Sequence, residues 1–107
     1  MNHAHVDVQE KDKDGKYKEP RTLRHQALDP LRHIWSPGGP HARVGFSTGT
    51  QLCFGEVKVT ASVEYECDQT TAAVDETGML AYNKAMEFLN GGVTMFLQEQ
   101  VDKEKHK

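Results

Sequence analysis

The sequence predicts an α+β protein in which a small antiparallel sheet packs against a C-terminal helix. Three observations carry that expectation. From Val57 to Cys67, apolar and polar side chains alternate strictly over eleven residues, the signature of a strand with one dry and one wet face. Residues 69–90 repeat apolar side chains at helical spacing and are followed by Gly91-Gly92, a common helix stop. The N-terminal part of the chain ends at Ser36-Pro37-Gly38-Gly39-Pro40, which forbids regular structure.

The chain has 107 residues and 36% hydrophobic content, one domain's worth with a modest core. We expect residues 1–40 to form a charged arm, flexible or pinned as an edge hairpin, and residues 41–107 to form the compact domain. Ala4, Val6 and Val8 alternate weakly, and Asp14-Gly15 is a favoured tight-turn pair before Lys16-Tyr17-Lys18 returns. Asp29-Pro30 reads as the start of a helical turn carrying Leu31, Ile34 and Trp35.

From His41 the chain becomes β-like. Residues 41–47 and 50–67 are predicted to form a hairpin, with Thr48-Gly49 as its turn, so that the hairpin occupies about 41–67. Leu52 and Phe54 place apolar side chains on even positions, whereas Val57 onward uses odd ones; a bulge near Gly55-Glu56 would reconcile the two phases. Asp68 is the expected cap of a helix over 69–90, whose apolar side holds Val74, Gly78, Ala81, Tyr82, Ala85, Phe88 and Leu89, widened by Met79 and Met86. Val93, Phe96, Leu97 and Val101 predict a second short helix over about 93–104.

The 41–47 segment is shorter than the strand it partners. Unless the N-terminal arm adds strands, a row of backbone donors and acceptors stays open. That shortfall, with the wide helix stripe, predicts a homo-oligomer, a dimer first. Val57, Val59, Val63, Phe88, Phe96 and Leu97 are its candidate contact residues.

Charge is divided. Net charge is −3 over the whole chain, but residues 16–43 hold six Lys or Arg against two carboxylates, and residues 51–107 hold five lysines against ten carboxylates. Glu64, Glu66, Asp68, Asp75 and Glu76 gather around the strand-to-helix junction and could meet a basic partner surface. Arg21, Arg24, Arg32, His33, Trp35 and Arg43 offer phosphate contacts and one base-stacking aromatic. The competing structural readings are a solvated sheet face for the acids, and arginines paired with Glu64 and Glu66.

Catalytic and metal signals are weak. His41 with Cys53 could serve a small hydrolase or transferase as base and nucleophile, but no nucleophile elbow accompanies them. Gly45-x-x-x-Gly49 lacks the Lys-Ser/Thr ending of a phosphate loop. His3 and His5 share a strand face with Asp7, and a histidine in third place can bind Cu(II) or Ni(II) with a free amino terminus; His25, His33 and His41 form no ligand motif. No cofactor is expected. Cys53 and Cys67 are too few for a disulfide framework. No apolar run reaches the ~18 residues of a membrane span, and no basic-then-apolar leader opens the chain; we expect a soluble, cytoplasmic protein without a membrane partner. The first expectation for function is a non-enzymatic oligomeric interaction protein of accessory, adaptor or inhibitor type. By scale alone it is comparable to viral or bacterial regulatory proteins. Nucleic-acid binding through residues 16–43 is the second, and the small enzyme the third.

Overall fold

The computed structural model describes residues 2–29 and 42–105. Four strands, β1 (His3–Glu10), β2 (Arg21–Ala27), β3 (Arg43–Phe54) and β4 (Val57–Asp68), precede one helix, α1 (Thr71–Lys105). All strand pairs are antiparallel, in the order β2-β1-β4-β3. The α+β class is as the sequence predicts. The loop expected at Ser36–Pro40 and the helical turn expected after Asp29-Pro30 lie outside the described residues.

The N-terminal segment is part of the sheet, not an arm beside it. Its strand β1 lies between β2 and β4, and Ala4, Val6 and Val8 are buried. Asp12 Oδ1 accepts hydrogen bonds from the backbone N–H groups of Asp14 and Lys16, and Gly15 adopts φ 81°. This local bonding closes the β1–β2 turn at Asp14-Gly15. Asn2 fixes the other end of β1: its Oδ1 accepts from the Glu66 N–H at 2.8 Å, and its carbonyl accepts from the Leu28 N–H at 3.0 Å.

The β3–β4 turn is at Gly55-Glu56, and Thr48-Gly49 lies inside β3. Phe54 pairs with Val57, leaving a two-residue loop whose first residue, Gly55, has φ 60° while Glu56 does not have positive φ, the pattern of a type II′ turn. The phase change is therefore a consequence of the hairpin and not of a bulge. Directly opposed residues point to one face, so even positions of β3 (Phe46, Leu52, Phe54) join odd positions of β4 (Tyr65, Val59, Val57). A bulge does occur in β2, where the register shifts opposite Val6/Asp7 and the extra residue, Leu23, packs against the core.

Helix capping falls to Thr70, whose Oγ1 accepts from the Ala73 N–H at 3.2 Å; Asp68 is the last residue of β4. The helix does not stop at Gly91-Gly92, and the expected second short helix is its continuation. Its 35 residues span roughly 50 Å at ~1.5 Å per residue. Gly92 is needed for packing: a Cβ there would collide with Val6 Cγ1 and lie 3.5 Å from Val59 Cγ1. Ala81 and Ala85 are also fully buried, so small residues bring α1 close to β1 and β4. Phe88 and Phe96 fill the space around them.

Two substitutions separate the roles of the glycine pair. Gly91→Ala has room, its Cβ meeting only Arg24 Nη1 at 3.9 Å among the described residues, and should raise stability by up to about 1 kcal/mol through helix propensity. Gly92→Ala gains the same propensity but collides with Val6, and should destabilise by about 1–3 kcal/mol net of that gain; urea denaturation reads both. Thr77 is fully buried, and its Oγ1 has no hydrogen-bond partner among the described residues. Thr77→Val keeps the shape and removes the unpaired hydroxyl, so thermal unfolding should shift upward by the equivalent of about 1 kcal/mol.

Candidate interaction surfaces

Among the described residues, helix α1 covers one face of the sheet and no element covers the other. Across the open face, His25, His5, Ser62 and Gly49 form one row of paired positions, and Ala27, His3, Glu64 and Ser47 form the next. The glycine and the small serines leave a shallow concavity of about 360 Å³ lined by His3, His5, Ser47, Gly49, Ser62 and Glu64. Ser47 Oγ donates to Glu64 Oε2 at 3.3 Å. The imidazoles of His3, His5 and His25 stand side by side, with centroids 5.6–6.4 Å apart. No sequence signal joins His25 to the other two, because its β2 register opposite His5 cannot be seen without the fold. Among the described residues, no group of three or more His, Cys, Asp or Glu side chains is gathered to hold a metal ion. His3 of the amino-terminal copper motif is paired in the ladder with both Ala27 and Glu64, and residue 1 lies outside the described residues.

The acidic set does not form one patch. Glu64 and Glu66 project from the open sheet face, whereas Asp75 and Glu76 belong to α1, which lies on the other face. Asp68 is half-buried, and its Oδ1 has no hydrogen-bond partner among the described residues.

The described arginines of the basic set are engaged within the chain. Arg21 makes a two-pronged contact with Glu99, at 2.8 and 3.3 Å. Arg24 lies 4.3 Å over the Phe88 ring and donates to Gln26 Oε1. Arg43 donates to Glu66 at 3.5 Å. Arg32, His33, Trp35 and His41 lie outside the described residues. Cys53 is exposed near the end of β3.

Self-association residues are redistributed. Val59, Val63, Phe88 and Phe96 are buried in this chain's own core, and Val57 packs against it. Strand β4 has no missing neighbour, because β1 and β3 occupy both its edges. Leu97 alone of the six is exposed, at 50%. Among the described residues the sheet has two open edges, those of β2 and β3. Beside the β3 edge, Met79 (70%), Tyr82 (54%) and Leu97 form an exposed apolar seam on α1. Gly78 faces Phe46 and Phe96 meets Phe54, whereas Phe88 and Glu99 reach Arg24 and Arg21 of β2. At ~100° per residue the seam continues from the Gly78–Phe96 line on the β3 side. Leu52, 44% exposed on the helix-facing side of β3, extends it onto the strand.

Comparison with protein-family models, with curated proteins and with solved structures finds no match to this chain. Among the described residues, no helix is long and apolar enough to cross a bilayer. The described residues form a one-layer sheet with one covering helix, one uncovered face and two outer strands, β2 and β3.

The Arg21–Glu99 pair gives a pH-dependent signature. The hydrogen bond from Arg21, reinforced by its charge, holds the Glu99 carboxyl below its ordinary value. A carboxylate favoured by folding stabilises the native state above its unfolded pKa of about 4.3, and the contribution is lost as pH falls through the lower folded value. Both side chains are more than a third exposed, so solvent limits the pair to at most about 1 kcal/mol. Glu99→Gln should cost no more than that at neutral pH, and the gap from wild type should close under acid conditions where Glu99 is protonated; urea titrations across pH measure it.

Proposed function

We propose that this chain is a small non-enzymatic interaction protein that self-associates and acts by binding another macromolecule. The observation that carries the reading is the β3 edge lying beside the α1 seam of Met79, Tyr82 and Leu97. An unpaired strand edge offers backbone hydrogen bonds, and adjoining apolar side chains offer desolvation energy. The open sheet face then remains available for a second partner, with Glu64 and Glu66 as its acidic contribution. Nucleic-acid binding has less to rest on, since Arg21, Arg24 and Arg43 each already contact a group of their own chain.

The test is mass against concentration by sedimentation equilibrium. Wild type should exceed 12.0 kDa at micromolar concentration, and Tyr82→Glu, folded by circular dichroism, should sediment as a monomer. A wild-type monomer throughout the accessible range would refute self-association.

A further inference from the structure

We infer that the partner at the β3 edge is the β3 of a second copy, paired antiparallel about a two-fold axis through Gly49. The inference rests on the proposed self-association and specifies its geometry. An edge strand can pair with its own copy only if the register opposes compatible side chains and keeps like charges apart. From Val44 to Phe54 the strand carries no charged residue and no proline, the two devices with which edges usually resist such pairing. Opposed residues must share a sheet face, so only registers that oppose even with even and odd with odd positions are allowed.

Centring on Gly49 overlaps the whole uncharged stretch. On the helix side it places Phe46 opposite Leu52, Val44 opposite Phe54, and Thr48 opposite Thr50 of the second copy. On the open side it places Ser47 opposite Gln51 and Gly45 opposite Cys53. Every apolar residue of the strand's inner face thus meets an apolar one, and the threonines meet each other.

The helix seam falls in place over this junction. Gly78 packs on Phe46 and Gly92 on Val59, while Gly49 pairs with Ser62, between the strand levels of those contacts. Tyr82 and Met86 therefore stand near the level of the axis. The two helices run antiparallel on one face of a continuous eight-stranded sheet, and their seams close over the strands that α1 leaves partly bare. The open faces join as well, so the two concavities at His3, His5, Ser47 and Ser62 flank the axis as a symmetric pair. Such an isologous contact is closed and stops at two copies.

Site-directed cross-linking tests the register. Directly opposed antiparallel residues have Cα atoms about 4.5–5.5 Å apart, within disulfide reach. A Cβ at Gly45 meets nothing within 4 Å among the described residues, so Gly45→Cys is accommodated there and should face Cys53 of the second copy. Treated with diamide, which takes up the two thiol hydrogens as the S–S bond forms, Gly45→Cys should give a covalent dimer on a non-reducing gel. Wild type and Gly45→Cys/Cys53→Ser should not. A sedimenting dimer that fails to cross-link would overturn this register and leave the broader interaction reading standing; a monomer would overturn both. Should the cysteine variant not fold, amide hydrogen exchange of wild type reads the same edge: β3 amides should gain protection with concentration, and concentration-independent exchange in β3 would overturn the pairing.

Discussion

The contact of Gly92 with Val6 and Val59 is the constraint on which the rest of the structure depends. It brings α1 close to the β1–β4 pair, at a distance that a residue with a side chain could not reach. Ala81 and Ala85 keep the same line small, and the larger Phe88 and Phe96 fill either flank. Phe88 turns toward β2, where Arg24 covers its ring, and Phe96 turns toward Phe54 of β3. The same seating lays Gly78 on Phe46 and Phe96 on Phe54 of β3, while Leu52 between them stays exposed.

Side-chain periodicity makes the class of the fold and one of its two 12-residue strands legible. Val57–Cys67 announces β4, and Asp14-Gly15 announces the first turn, because each signal is local. The misplacements share one cause: glycine has several physical uses that look alike in sequence. Local pattern points to a bulge at Gly55, which forms a turn, and to a turn at Gly49, which lies within a strand. Gly92 reads as a helix stop, yet it is the helix's closest approach to the sheet. What distinguishes these uses is the identity of the opposing surface, which no local pattern contains.

The candidate surfaces are less legible for a related reason. Apolar periodicity marks residues that need cover but not which surface provides it. Phe88, Phe96, Val59 and Val63 find theirs within the chain, while Met79 and Tyr82 do not. Charge behaves similarly. The acids near the strand-to-helix junction are close in sequence but divide between the open sheet face and α1. Arg21 and Glu99, far apart in sequence, meet across the β2–α1 gap. The histidine row needs two strand registers at once, since His25 joins His3 and His5 only through the β1–β2 pairing.

The strand order also has a consequence for synthesis. Strands β1 and β2 can form their hairpin from local contacts as soon as residue 27 is made, and β3 and β4 can do the same later. The central β1–β4 ladder, however, joins His3 to Glu64 and Glu10 to Val57, so it must wait for the second hairpin. During translation at roughly 5–20 residues per second, the first hairpin spends seconds with Ala4, Val6 and Val8 uncovered. Its modest apolar content, and the charges around its turn, suit a segment that must stay soluble before its neighbour exists. Strand β1 precedes β4 in the chain, and it waits while every residue between Glu10 and Val57 is made for the strand it will pair with.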